Sequence, residues 1–130
     1  MLPVDQTIFD NQKGNCYAAC IASIFEIPLE SVPTPNGVAE DFWPTYNYWF
    51  EKGNARTTTL TRGDWIPPEA YLIGTVKSPR FEGTDHAVVV YGNRVIHDPH
   101  PDKTSLGDIS LVTHLDFIYP IDPSKPIHLG

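Results

Sequence analysis

The sequence predicts an α+β domain in which a buried N-terminal helix packs on an antiparallel β-sheet. Helix-like segments occupy the first fifty residues, and β-branched residues become frequent only from Thr57 onward. Short connections such as the hairpin signal Gly92-Asn93 then join the strand-like segments. Helices first and strands after favour α+β over a parallel α/β sheet. With 130 residues, 41% of them apolar, the chain suffices for one core, and residues 1–130 are predicted to form a single domain.

The N-terminal part of the chain contains a predicted helix that begins at a cysteine. Residues Val4–Phe9 fit either a short strand or an extended arm, and a polar turn follows them. Asn15 is a suitable N-cap, because its side-chain oxygen can accept a free N–H of the first helical turn. From Cys16 to Phe25 the residues are apolar nearly all round, which is typical of a buried helix. Pro28 is expected to end this helix.

A second helix is predicted from Val38 to Phe50, with Pro44 in its middle. The segment is rich in aromatic residues, and large apolar side chains are usually buried. We therefore interpret the aromatic residues as part of the core. A surface that binds a partner is the alternative interpretation.

Four strands are predicted after this helix. The residues of Ala87–Val90 are apolar on both faces, so their strand should lie centrally in the sheet with cover on each side. The predicted strands are Ala70–Val76, Ala87–Tyr91, Arg94–Ile96 and Leu115–Tyr119.

Composition and charge exclude several classes of function. A net charge of −7 argues against a protein that binds nucleic acid, because that binding depends on clustered Lys and Arg. No apolar run approaches the roughly 20 residues that a membrane helix needs, and the chain does not open with a basic segment followed by an apolar one. We expect a cytoplasmic protein that binds neither nucleic acid nor membrane. The sequence leaves the oligomeric state open.

The two cysteines are predicted to differ in reactivity. Cys16 falls in the first turn of the predicted helix, where free N–H groups and the helix dipole favour a thiolate and lower the pKa. Cys20 lies one turn deeper, where an apolar environment should raise the pKa of its thiol. A helix also holds the two Cβ vectors nearly parallel, which is poor geometry for a disulfide. Cys16 is thus the candidate nucleophile, and the alternative is that it is simply a small buried residue.

A histidine and an aspartate later in the chain are candidates to act together with this cysteine. His86 opens the apolar strand, and the hairpin returns the chain so that Asp98 arrives close to it. Asp98 could accept a ring N–H, fix the tautomer and stabilise an imidazolium. Cys16, His86 and Asp98 therefore match a cysteine nucleophile, a histidine base and an orienting carboxylate.

The alternation of side chains along a strand raises a difficulty for this pair. With a two-residue loop and regular pairing, His86 and Asp98 would point to opposite faces of the sheet. We expect an irregularity, either a three-residue loop with a bulge or a chain that leaves the sheet before Pro99. His97 remains a competitor for the base or the orienting role.

A metal site is an alternative use of the same residue types. Cys16 and Cys20 have a spacing that zinc sites tolerate, and His97 and His100 could supply two further ligands. However, Cys20 is expected in the core of the helix, and the chain has no second pair of cysteines. We predict no metal and no cofactor.

Two blocks of the sequence resemble the papain-like, C39-like cysteine peptidases, the bacteriocin-processing peptidases. Val4-Asp5-Gln6 and Asn15-Cys16-Tyr17-Ala18-Ala19-Cys20 are similar to the family's glutamine and to its cysteine at a helix start. His86-Ala87-Val88-Val89-Val90 and Asp98-Pro99 are similar to its histidine strand and its Asp-Pro pair. The blocks occur in the family's order. The middle and the end of the chain are not covered by the resemblance.

The resemblance implies a papain-like fold and a peptide or protein substrate. It also implies that Gln6 is catalytic, with its side-chain NH2 holding the developing oxyanion beside the backbone N–H of Cys16. Gln6 lies ten residues before Cys16 and the alternative, Gln12, lies four before it, whereas the family's glutamine lies between these spacings. Tyr17 stands where the family has glycine.

We therefore predict a cysteine-dependent hydrolase, a peptidase or an isopeptidase, that uses a Cys-His-Asp triad. One alternative is an amidase or acyltransferase on the same scaffold, since a fold does not determine a reaction. The other is a catalytically inactive module that binds or inhibits a partner.

Overall fold

Two helices pack on a five-stranded antiparallel sheet in the computed structural model, which describes residues 1–9, 14–35, 39–61 and 63–130. The strand order is β1-β5-β2-β3-β4, and every neighbouring pair is antiparallel. The α+β prediction is confirmed. The elements are α1 (Cys16–Phe25), α2 (Ala39–Lys52), β1 (Ala55–Thr61), β2 (Leu72–Lys77), β3 (Asp85–Tyr91), β4 (Arg94–His97) and β5 (His114–Pro120).

Helix α1 is buried, as its sequence predicts. Its residues from Tyr17 to Ser23 are all buried, and the helix packs mainly on β3. It ends at Phe25, before Pro28, because Glu26 adopts a left-handed conformation (φ 57°) and the N–H of Ile27 bonds to the carbonyl of Ala22 at 3.1 Å. Within the described part of the chain, neither helix is long and apolar enough to cross a membrane.

Asn15 precedes α1, but the predicted N-cap is wrong, because its side chain makes no capping hydrogen bond. Its Oδ1 instead accepts the backbone N–H groups of Thr7 and Ile8, at 2.9 and 3.0 Å. Its Nδ2 donates to the hydroxyl of Thr7 at 3.0 Å. Residues 4–9 form an extended arm and no strand, so their N–H groups lack sheet partners. Asn15 supplies partners for Thr7 and Ile8 and attaches the arm to the start of α1.

We expect Asn15→Ala to lower the free energy of unfolding by about 1 to 3 kcal/mol, because it removes three partly buried hydrogen bonds that hold the arm on α1. Asn47→Ala, at an exposed position of α2, is the matched control and should change this free energy by less than about 0.5 kcal/mol. Urea unfolding measures both effects. Equal stability of the two variants would contradict the anchoring role of Asn15.

Helix α2 continues through Pro44 and reaches Lys52, two residues beyond its predicted end. The predicted start, Val38, lies outside the described residues. The aromatic residues divide between two faces. Tyr46 and Phe50 are fully buried, and the ring of Tyr46 lies 5.0 Å from that of Tyr17, whereas Tyr48 is exposed. The core interpretation therefore holds for the inner face of the helix.

Strand β3 lies inside the sheet between β2 and β4, as predicted from its apolar residues. Ala87 and Val89 pack into the core shared with α1, and Val88 and Val90 pack into a second apolar cluster on the other face. The predicted strands appear with small changes of boundary. Strand β1, which the sequence did not predict, pairs with β5 at one edge of the sheet.

The hairpin between β3 and β4 contains the irregularity that positions the site. Its loop has two residues, Gly92 and Asn93, both with positive φ (58° and 64°). Val90 pairs with Val95, but Val89 pairs with His97, so Ile96 is an extra residue in β4. This bulge reverses the alternation of side chains for the residues that follow. The predicted loop of three residues is wrong, but the bulge predicted with it is present, and the predicted departure from the sheet before Pro99 is confirmed, since β4 ends at His97.

Candidate active site

Three elements bring Cys16, His86 and Asp98 together. Cys16 is the first residue of α1, His86 is the second residue of β3, and Asp98 directly follows β4. Because α1 packs on β3, the start of the helix reaches the start of the strand. Because the bulge reverses the alternation after β4, Asp98 turns toward His86.

His86 and Asp98 form a buried hydrogen-bonded pair. The Nε2–H of His86 donates to Oδ1 of Asp98 at 2.7 Å, and the two side chains are 4% and 0% exposed. The carboxylate also accepts the backbone N–H groups of His100 (3.0 Å) and Ser105 (3.1 Å). Burial alone would raise the pKa of Asp98, but these hydrogen bonds outweigh it and lower the pKa to about 2. Asp98 is therefore charged at neutral pH.

Cys16 lies close enough to the His86 ring for each group to shift the pKa of the other. Since Nε2 is held by Asp98, Nδ1 is the ring nitrogen left for the sulfur. Burial acts to raise the pKa of Cys16, yet the hydrogen bond and charge of His86, with backbone N–H groups including that of Ala87, lower it below the usual thiol value. Burial acts to lower the pKa of His86, yet the bonds to Asp98 and Cys16 raise it to about 9. These opposed shifts favour a thiolate and an imidazolium.

Cys20 differs from Cys16 in its surroundings. It is fully buried, and burial raises the pKa of its thiol well above the usual value. Cys16 is only partly buried, and both cysteines are free thiols. The two sulfurs therefore have the contrasting environments that the sequence predicts.

Gln6 lies beside the Asp98 segment and has no hydrogen bond to Cys16 among the described contacts. Its backbone N–H donates to the carbonyl of Pro99 at 2.9 Å, and its Nε2 donates to the carbonyl of Ile8 at 2.9 Å. Its Oε1 is buried and has no partner among the described residues. The oxyanion role of Gln6 therefore stays a prediction. The alternative residue, Gln12, lies outside the described residues.

His97 belongs to the arm and not to the Cys16 and His86 pair. Its Nε2 donates to the carbonyl of Val4 at 2.8 Å, and it lies 3.8 Å from Oδ1 of Asp5. The hydrogen bond of Asp98 goes to His86. The geometry therefore favours His86 over His97 as the partner of both Cys16 and Asp98.

Metal ligands do not converge within the part of the chain that the structure describes: no three His, Cys, Asp or Glu side chains there are placed to hold a metal ion. The Nδ1 of His100, one of the possible ligands, accepts the backbone N–H of Asp102 at 3.1 Å.

Sequence reasoning missed the groups that support Asp98. Two are the backbone N–H groups of His100 and Ser105, and a third is Lys103, whose Nζ donates to the carbonyl of Asp98 at 2.7 Å. Backbone groups carry no residue-specific signal. The run His97-Asp98-Pro99-His100-Pro101 is the one local feature that indicates a tight turn.

Comparison with known proteins adds no further identification. No protein-family model, no curated protein and no solved structure matches this chain. The resemblance to the C39-like peptidases therefore rests on the residues of this sequence alone.

Proposed function

We propose that this protein is a cysteine-dependent hydrolase that cleaves an amide bond in a peptide or protein, on a papain-like fold. The observation that supports this proposal most is the buried His86–Asp98 hydrogen bond beside Cys16, with the thiol pKa lowered by His86 and the imidazole pKa raised. Perturbed groups of this kind, in contact with each other, are typical of catalytic sites. Both thiols are free, which fits the reducing cytoplasm.

The first half of the reaction follows from the protonation states. The thiolate of Cys16 attacks the carbonyl carbon of the amide and forms a tetrahedral oxyanion. Backbone N–H groups at the start of α1 and the side-chain NH2 of Gln6 stabilise that oxyanion. His86, protonated on Nδ1, gives this proton to the leaving amine as the C–N bond breaks. The acyl group then remains on the sulfur as a thioester.

The second half regenerates the enzyme. His86, now neutral, takes a proton from water, and the hydroxide attacks the thioester carbonyl. The C–S bond breaks, the carboxylic acid leaves, and the thiolate and imidazolium are restored. Asp98 holds the ring through Nε2 and stabilises its positive charge in both halves.

A panel of amide substrates tests this proposal. Quenched fluorescent peptides, an isopeptide and a cell-wall peptide are each incubated with the full chain, with and without a primary amine as acyl acceptor. We expect hydrolysis of at least one class and an acyl adduct on Cys16 in mass spectra. Transfer to the amine without hydrolysis would indicate an acyltransferase. An absence of turnover, together with an ordinary rate of Cys16 alkylation, would contradict an enzymatic role and favour a binding module.

A further inference from the structure

The N-terminal arm, residues 4–9, connects the two sides of the candidate site. On the side of α1, the Ser23 hydroxyl accepts the backbone N–H of Val4 at 2.9 Å, and Asn15 holds the next part of the arm. On the other side, the N–H of Gln6 donates to the carbonyl of Pro99. The arm therefore spans from the helix that carries Cys16 to the segment that carries Asp98.

Lys103 joins this arm to the Asp98 turn, which we define as residues 98–105. Its ammonium group donates to the backbone carbonyl of Asp98 at 2.7 Å and forms an ion pair with Asp5, the residue before Gln6. Only a third of the Lys103 side chain is exposed. One cation thus contacts both segments that surround the buried carboxylate of Asp98.

The backbone of Lys103 indicates that its side chain is needed at this position. Its φ of 55° lies in the left-handed region, which L-residues other than Asn and Asp rarely adopt. Glycine would adopt this conformation without strain. Among the other described non-glycine residues with positive φ, Asn54 and Asn93 are of a type that tolerates it, and Glu26 lies at the C-cap of α1, where a left-handed residue commonly ends a helix. Lysine is not a residue type that tolerates positive φ well. We therefore attribute its presence here to the contacts that its ammonium group makes.

We propose that Lys103 is a positioning residue that keeps Asp98 on His86 and the arm docked against the Asp98 turn. The ammonium group holds the backbone carbonyl of Asp98, while the N–H groups of His100 and Ser105 hold its carboxylate. With backbone and carboxylate both held, Oδ1 stays at 2.7 Å from Nε2 of His86. The inference rests on the proposed function, because Lys103 acts on Cys16 only through Asp98 and His86.

The test measures the rate of Cys16 alkylation by iodoacetamide across the pH range in the full chain, with peptide mapping by mass spectrometry. The wild type should show two steps, one from the lowered pKa of Cys16 and one at about pH 9 from His86. In Lys103→Met the two steps should move toward each other, and the rate at slightly acidic pH should fall about tenfold. Lys103→Arg should retain most of the wild-type profile, since a guanidinium can bridge the same two acceptors.

Lys77→Met is the matched control for loss of charge. Lys77 is exposed and pairs at 3.5 Å with Asp85, the residue before His86, so this variant removes an equal charge near the imidazole. Its profile should match the wild type. If Lys77→Met moves the two steps as far as Lys103→Met does, the effect is one of net charge and the positioning role is wrong.

Lys103→Gly is a second variant for the case in which Lys103→Met does not fold. Glycine adopts the positive φ without strain, and the ammonium group is still removed. It should unfold at a temperature no lower than Lys103→Met and show the same shift of both steps. A wild-type profile in the glycine variant would overturn the inference. A wild-type protein that itself alkylates like an ordinary thiol would instead contradict the proposed function, so the two failures are distinguishable.

Discussion

Replacing Cys16 with alanine should abolish turnover and remove nearly all alkylation of the protein at near-neutral pH. The reason is that Cys16 is the thiol with a lowered pKa, whereas burial raises the pKa of Cys20. Loss of a nucleophile that acts together with a base costs a factor on the order of 10⁴ or more in turnover. Quantitative alkylation and the substrate panel measure the two effects.

Cys20→Ala is the control for this substitution, since it removes the same chemical group one helical turn away. It should leave alkylation and turnover close to wild type. It should lower the free energy of unfolding by about 1 kcal/mol, because it removes a buried sulfur from the core. Equal labelling of Cys16→Ala and Cys20→Ala would show that the helix contains no selectively reactive thiol.

Replacing His86 with alanine should reduce turnover by about 10³-fold to 10⁴-fold and remove the low-pH step of Cys16 alkylation. Burial opposes a thiolate, and the bond and charge of His86 are the main forces that favour it. Without the imidazole, the pKa of Cys16 should therefore rise. The leaving amine also loses its proton donor.

The pH profile of turnover tests whether Asp98 raises the pKa of His86. In the wild type, activity should rise as Cys16 loses its proton and fall as His86 loses its own at about pH 9. In Asp98→Asn the imidazolium is stabilised less, so the falling limb should move to lower pH, toward the usual histidine pKa of about 6.5. Asp85→Asn is the control, because it removes an equal charge next to His86 in the chain, while its exposed carboxylate pairs with Lys77 at 3.5 Å. A falling limb that stays in place in Asp98→Asn would contradict the role of Asp98.

The sequence predicts those parts of the fold that depend on local pattern. The continuous apolar character of α1 and of Ala87–Val90 indicates burial, and the structure shows both buried. Strand β1 was missed because its sequence from Ala55 to Thr61 is mostly threonine and carries little apolar alternation. Its pairing with β5 at the sheet edge stabilises it, and that contact is not encoded in a local pattern. The cap at Asn15 failed for a similar reason, since a distant segment occupies its side chain.

The candidate site could likewise be predicted only in part. Cys16 and His86 could be identified because each is a reactive residue at the end of an apolar element. The irregularity before Asp98 could be expected, because without it the aspartate would face away from the histidine. Its location at Ile96 could not be predicted, and neither could the contribution of Lys103, whose ion pair with Asp5 joins residues far apart in the chain.

The bulge at Ile96 makes the arrangement of the site depend on how many residues the hairpin contains. His86 and Asp98 are twelve positions apart, and one inserted residue within that interval lets them meet on the same side of the sheet. Ile96 is partly exposed and contributes little packing, so exchange of its side chain leaves the geometry in place. Removal of one residue from the hairpin would point the carboxylate away from the imidazole even with every reactive group retained. A protein of this kind can therefore lose its activity when the hairpin changes length, even though its sequence still contains every motif of the site.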